Sequence, residues 1–223
     1  MNDMKFNIDN EDSTKPLADD LFQHLQKDIL SGTIDADSKI TEKSVCDRYS
    51  VSRTPVREAF RQLEADGLIK TVPNRGAYVV GLTVRDISDL FDMRKIFEMQ
   101  AVEWAIERMN DEEVDKLHEN MEFLEFYTLK GDVDKVMHFN SKFHNTIYRG
   151  TKNRMIYQTL SSYEVYLKYS TPPRIIFSDY LSTILKEHSA IFDAFESHNI
   201  AAGKQAMEYH MAQSKIRRMA RYF

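Results

Sequence analysis

The 223-residue chain is 42% hydrophobic and 29% charged, with a formal net charge of -5. That excludes a disordered polymer and fits one large domain or two ordinary ones. A single cysteine, Cys46, excludes an intramolecular disulfide framework, and no apolar run reaches the roughly 18 residues of a membrane span. The polar, acidic opening MNDMKFNIDNEDSTK lacks the basic head and apolar centre of a signal peptide. The expectation is a soluble cytoplasmic protein.

Residues 1–15 read as a flexible arm. Pro16 suits a first helical turn, and Leu17, Leu21, Leu25 and Ile29 repeat at four, so an amphipathic helix runs to Gly32. GTIDADSKI reads as a loop. Thr41 is an N-cap for a short helix to about Tyr49. After a brief turn, Ser52 caps a helix with Pro55 in its first turn, Phe60 as its anchor to the core, and Gly67 as its stop. Leu68–Val72 and Ala77–Val80 read as strands around a Pro73-Asn74-Arg75-Gly76 turn. Helix, helix, turn, helix, hairpin is a winged helix-turn-helix over residues 16–80, with the hairpin as wing. Residues 81–83 read as a linker.

From residue 84 onward the pattern is helical to the end of the chain. The first helix, near 84–109, is expected to be broken or bent. Others follow over about 111–129, 131–150, 153–170, 179–197 and 200–219, with Thr171-Pro172-Pro173 as a break. The fold class is therefore mainly α: a winged helix-turn-helix plus an all-α bundle of about six helices over 84–223.

Charge separates the two parts. From Ser38 to Val80, eight Lys/Arg stand against five acids, a local +3 in a chain of -5. A basic module is joined to an acidic one. Arg53 and Arg57 lie four apart, on one helical face, where Arg can donate twice to guanine O6 and N7 in the major groove. Ser52 and Thr54 stand at the helix start, where hydroxyls and backbone N–H groups hold phosphate. Arg75-Gly76 at a hairpin tip suits a wing that approaches the minor groove. An isolated RxxxR is more often a solvated face, with Arg57 paired to Glu58 or Glu64. The surrounding elements favour nucleic acid.

ITEKSVCDRYSVSRTPVREAFRQLEADGLIKTVPNRGAYVV resembles the DNA-binding domain of the GntR family of bacterial transcription regulators. VSRTPVREA, the DGLI stretch and PNRGAYV carry the likeness. It implies that Lys43, Arg53, Thr54 and Arg57 contact DNA from the helix-turn-helix, and Arg75 with Gly76 from the wing. Cys46 falls where relatives carry a small Ala, so a buried core thiol is expected.

In the second part, His144, His188 and His210 each sit on an apolar-periodic helix, with Asn140 one turn before His144. Inward His residues on facing helices can be hydrogen-bonded core residues or a metal site. His24, His118, His138 and His198 lack that setting and read as surface or helix-end residues. DLFDMRKIFEMQAVEWA, FHNTIYRGTKN and EHSAIFDAF resemble the FCD ligand-binding domain of the FadR-type branch of that family. The resemblance implies a divalent metal (Zn, Ni, Mn or Fe) held by Asn140, His144, His188 and His210. Relatives carry Asp where this chain has Asn140, which removes a charge from the site. Arg94, and more weakly Arg174, are candidates for effector binding; Arg94 can equally pair with Glu98 at i+4.

Together these readings give a sequence-specific regulator, expected to be a repressor. It acts as a homodimer on a palindromic double-stranded operator and responds to a small organic acid. The alternative is a DNA-binding regulator whose metal-free bundle serves dimerisation. A metalloenzyme is disfavoured, because no clear base or nucleophile stands beside the histidines.

Overall fold

A computed structural model describes residues 17–73, 75–170, 178–220 and 222. The chain divides into two compact units, the first reaching Thr83 and taking in Tyr169 and Ser170 as well, the second made of the other described residues from Val84 onward. The expected arm at 1–15, Pro16, Asn74 and Arg174 lie outside the described residues.

In the first unit, helix α1 (Leu17–Leu30) buries Leu21, Leu25 and Ile29. Wholly buried, Leu21 and Leu25 are worth about 1.5–3 kcal/mol each. They pack against α3 (Arg53–Ala65), whose buried stripe is Val56, Ala59 and Leu63. Phe60 is only half-buried: it points off that stripe, so the anchor expected there is supplied by its neighbours. Helix α2 (Glu42–Tyr49) begins at a capping box, with Thr41 Oγ1 accepting from Ser44 N and Ser44 Oγ accepting from Thr41 N. Ser52 is the N-cap of α3, but its hydroxyl makes no capping hydrogen bond. Cys46 is half-buried rather than a core thiol, since Val45 takes the inward position of α2.

The wing has three strands, not two. β1 (Lys39–Ile40), β2 (Ile69–Val72) and β3 (Gly76–Val79) form an antiparallel sheet in the order β1-β3-β2. Lys39 pairs with Tyr78, Ile40 with Ala77, and Ile69 with Val79. β1 lies within the stretch expected to be loop. Two residues carry no period, and only the partner strand makes them a strand. Gly76 adopts φ +96, which favours glycine, and a Cβ there would stand 3.3 Å from the Ile40 carbonyl oxygen. Glu64 on α3 accepts from the Thr71 N–H at 2.8 Å, fastening β2 to that helix.

The second unit contains α4 (Val84–Arg108), α5 (Asp111–Lys130), α6 (Val133–Gly150), α7 (Arg154–Tyr169), α8 (Ser178–Glu196) and α9 (Ile200–Met219). α4 is one unbroken 25-residue helix, so of the expected break or bend there is no break. It contains neither Pro nor Gly. What interrupts its apolar stripe is Arg94 and Glu98, both buried. Asn110 and Asp132 cap α5 and α6, and Gly131 ends α5 at φ 67. α4 packs on α9 and α6, α5 on α6 and α8, and α8 on α9. Phe143, Ile147, Tyr148, Leu160, Ile191, Phe195 and Met207 fill the centre. Among the described residues, no helix is long and apolar enough to cross a membrane.

Candidate nucleic-acid interface and candidate metal centre

Arg53, Thr54 and Arg57 are exposed on the first two turns of α3, Lys43 is exposed on α2, and Arg75 is exposed at the wing tip. The α3 hydroxyl that capping leaves unused, on Ser52, is exposed in the same place. Arg53 has no partner among the described residues. Arg57 donates from Nε to Glu42 Oε1 at 2.8 Å, across from α3 to α2, with 64% of its side chain exposed. Its partner is thus neither Glu58 nor Glu64; Glu58 pairs with Arg61 instead. An ion pair that open to water is weak, and a phosphate or base edge can replace it.

The second unit brings three histidines together. His144 on α6, His188 on α8 and His210 on α9 are buried, and each offers a ring nitrogen within 4.8 Å of the others. Two of the three hold an acceptor with their second nitrogen, and the third faces a carboxylate. His188 Nδ1 donates to the Ile184 carbonyl at 2.8 Å. His210 Nδ1 lies 2.7 Å from Glu187 Oε2. His144 Nδ1 faces Glu98 Oε2 at 3.4 Å. These partners fix the Nδ1–H tautomer of His188 and His210 and leave their Nε2 lone pairs free. His188 Nε2 is buried with no hydrogen-bond partner. His144 Nε2 and His210 Nε2 stand 3.2 Å apart. The His210 Nε2 lone pair faces His144 Nε2 across a gap that either a proton on His144 or a cation shared by both rings can fill, and nitrogens bound tetrahedrally at about 2.1 Å stand about 3.4 Å apart. The donor set fits a divalent metal.

Electrostatics point the same way. Burial, with its His neighbours, pushes His188 well below the usual imidazole range. Burial takes His210 down to about 4 against the pull of Glu187. Both are neutral near pH 7, the form that ligates metal.

An outer layer of charge surrounds the histidines. Burial raises the Glu98 carboxyl, but His144 and Arg94 outweigh it and hold it at about 2. Arg94 donates to Glu98 Oε1 at 2.9 Å and to the Tyr148 hydroxyl at 3.2 Å, and Tyr148 donates to Glu98 Oε1. Burial and the adjacent carboxylate push Tyr148 well above its ordinary range, so it stays a donor. On the other flank, Arg217 grips Glu187 with two donors at 2.5 and 2.6 Å and lies over the Tyr180 ring. Asn140 is half-buried one turn before His144.

Sequence reasoning singled out the histidines and Arg94 but missed Glu187, Arg217 and the role of Tyr148. It named Glu98 only as a partner for Arg94. A charge interrupting an apolar stripe was the available signal at Glu98. His24, His118, His138 and His198 are exposed, and His198 ends α8 at φ 48.

Comparison with known proteins agrees with this division of labour. Residues 17–79 match the bacterial regulatory proteins of the gntR family, and residues 89–213 match the FCD domain. The chain is 30% identical over 200 residues to the HTH-type transcriptional regulator YdhC of Bacillus subtilis (strain 168), covering 89% of each protein. It is 24% identical to the HTH-type transcriptional repressor RspR of Escherichia coli (strain K12), covering 90% of this chain and 88% of that one. The structure of McbR/YncC from E. coli superposes with a TM-score of 0.71 at 19% identity, over 94% of this chain and all of that one. With a winged helix that presents exposed arginines and an FCD bundle closed around three histidines, the chain belongs to the GntR family of transcription regulators.

Proposed function

We propose that this regulator is a homodimeric repressor that binds a palindromic operator and responds to a small carboxylic acid held at a metal in the FCD bundle. Lys43, Ser52, Arg53, Thr54 and Arg57 engage one half-site, and Arg75 with Gly76 the adjacent minor groove. His144, His188 and His210, with the Asn140 carbonyl, hold a divalent ion (Zn, Ni, Mn or Fe). When bound, the ion supplies a Lewis-acidic position for the effector's carboxylate. Arg94 braces the site, and Arg174, outside the described residues, is a further candidate contact. The repressor sense rests on likeness to RspR.

One observation carries the metal reading: three buried imidazoles whose Nδ1 atoms face outward partners, leaving Nε2 atoms to converge. The neutral Asn140 favours a second reading, a metal-free bundle that serves dimerisation. Elemental analysis of protein purified without chelator decides between them. The expectation is about one equivalent of metal per chain; none, even after adding Zn, Ni and Mn, establishes the second reading. Fluorescence titration of an operator tests the first domain. Arg53→Ala should weaken binding by about 1–3 kcal/mol per lost base contact, and unchanged binding would refute the recognition helix. A thermal-shift screen of small carboxylic acids, with and without metal, tests the effector class.

A further inference from the structure

The donor set leaves a charge problem. Three neutral imidazoles and an Asn carbonyl bring no negative charge to a divalent cation, and a buried cation is held more tightly when an anion stands close by. Two buried carboxylates stand just outside the ring of histidines. Glu187 has already closed on its ring, with Oε2 2.7 Å from His210 Nδ1, and Arg217 grips both its oxygens. Glu98 is different. Arg94 and Tyr148 both hold Oε1, the oxygen away from the histidines. Oε2 is buried without a hydrogen-bond partner, and so is His144 Nδ1, which faces it at 3.4 Å. Two complementary orphans in a 0%-exposed pocket, a few tenths of an ångström from bonding, make an acceptor and a donor waiting to close.

We propose that Glu98 is a positioning residue that supplies, through His144, the negative charge that Asn140 does not bring to the metal. The inference rests on the metal reading given above. His144 Nδ1–H donates to Glu98 Oε2, which holds the ring with Nε2 toward the ion and makes that nitrogen a stronger donor. Arg94 and Tyr148 keep the carboxylate in place from its far oxygen, so their role is to hold Glu98 rather than to touch the ion.

The test uses full-length protein and Co²⁺ as probe, titrated in competition with a chromogenic chelator, with folding followed by far-UV circular dichroism. Glu98→Gln keeps the shape and removes the charge. It should bind Co²⁺ about 10–100-fold more weakly than wild type. The double variant Glu98→Gln/Asn140→Asp should recover most of that loss, because the charge returns at the ligand itself; a purely structural defect at Glu98 would not be rescued this way. Glu98→Gln binding as tightly as wild type overturns the proposal, as does failure of the double variant to recover. If Glu98→Gln does not fold, Asn140→Asp alone decides. A gain of less than tenfold shows that the site already has its anion, and a gain of tenfold or more shows that it did not and overturns the proposal. Wild-type protein that takes up no Co²⁺ or Zn²⁺ removes the metal reading and this inference with it, whereas uptake unaffected by Glu98→Gln removes this inference alone.

Discussion

Gly203 shows how little room the bundle leaves at single positions. It lies on α9 where that helix packs on α4, and a Cβ would stand 2.8 Å from both Val102 Cγ1 and Ile106 Cδ1. Val102 is β-branched and buried, and has few rotamers to retreat into. Ala in place of Gly gains about 1 kcal/mol of helix propensity, but overpacking costs about 1–3 kcal/mol. Gly203→Ala should therefore lower the denaturant midpoint. Gly150→Ala is the control: its nearest neighbour is the Met109 side chain, which is unbranched and can swing aside. That variant should unfold at or above the wild-type midpoint. The same contrast explains which site residues could be read in advance. His144, His188 and His210 stood out as polar residues in apolar stripes. Glu187 and Arg217 are 30 residues apart and make sense only once α8 and α9 are packed, because each cancels the other's burial cost.

At the scale of elements, two helix starts that look alike behave differently. Thr41 opens α2 with a reciprocal capping box, whereas Ser52 opens α3 with its hydroxyl unused. Thr41→Ala should cost about 1 kcal/mol of stability in urea unfolding. Ser52→Ala should leave the midpoint in place while weakening operator binding, since its hydroxyl is spared for phosphate; a stability loss equal to that of Thr41→Ala would contradict this. Many helix limits were legible because their signals are local: Gly32 and Gly67 adopt positive φ just past α1 and α3, whereas Gly131, expected to start the next helix, ends α5. Two elements were not legible. β1 depends wholly on β3, and the continuity of α4 depends on Arg94 and Glu98 satisfying each other inside the bundle. A buried ion pair on one face imitates, in sequence, the polar gap of a broken helix.

For the molecule as a whole, the two units should answer to different variables. The basic unit should answer to salt: operator affinity falls with ionic strength by about 0.9 log units per neutralised phosphate for each log unit of salt. Arg75→Ala should lower that slope by about 1, as read from binding curves between low and physiological salt. The FCD unit should answer to metal. Zn²⁺ at a hundredfold excess over its dissociation constant stabilises a folded site by about 2.7 kcal/mol. Calorimetry should show that gain as a higher unfolding temperature of the bundle, and His188→Ala should abolish it. The division itself was readable in the uneven charge, +3 within Ser38–Val80 of a chain at -5, because solvated charge follows function more than packing.

The three-stranded wing sets a limit on engineering. β1 leads within one residue into Thr41, the cap of α2, and Gly76 sits against Lys39 and the Ile40 carbonyl. From the other side, Glu64 of α3 holds Thr71 of β2. A hairpin transplanted from another regulator would arrive without its first strand and its helix tether. The smallest interchangeable cassette is therefore Lys39 to Val79, recognition helix included, and chimaeras cut at the hairpin alone should lose the register of β3 along with their operator.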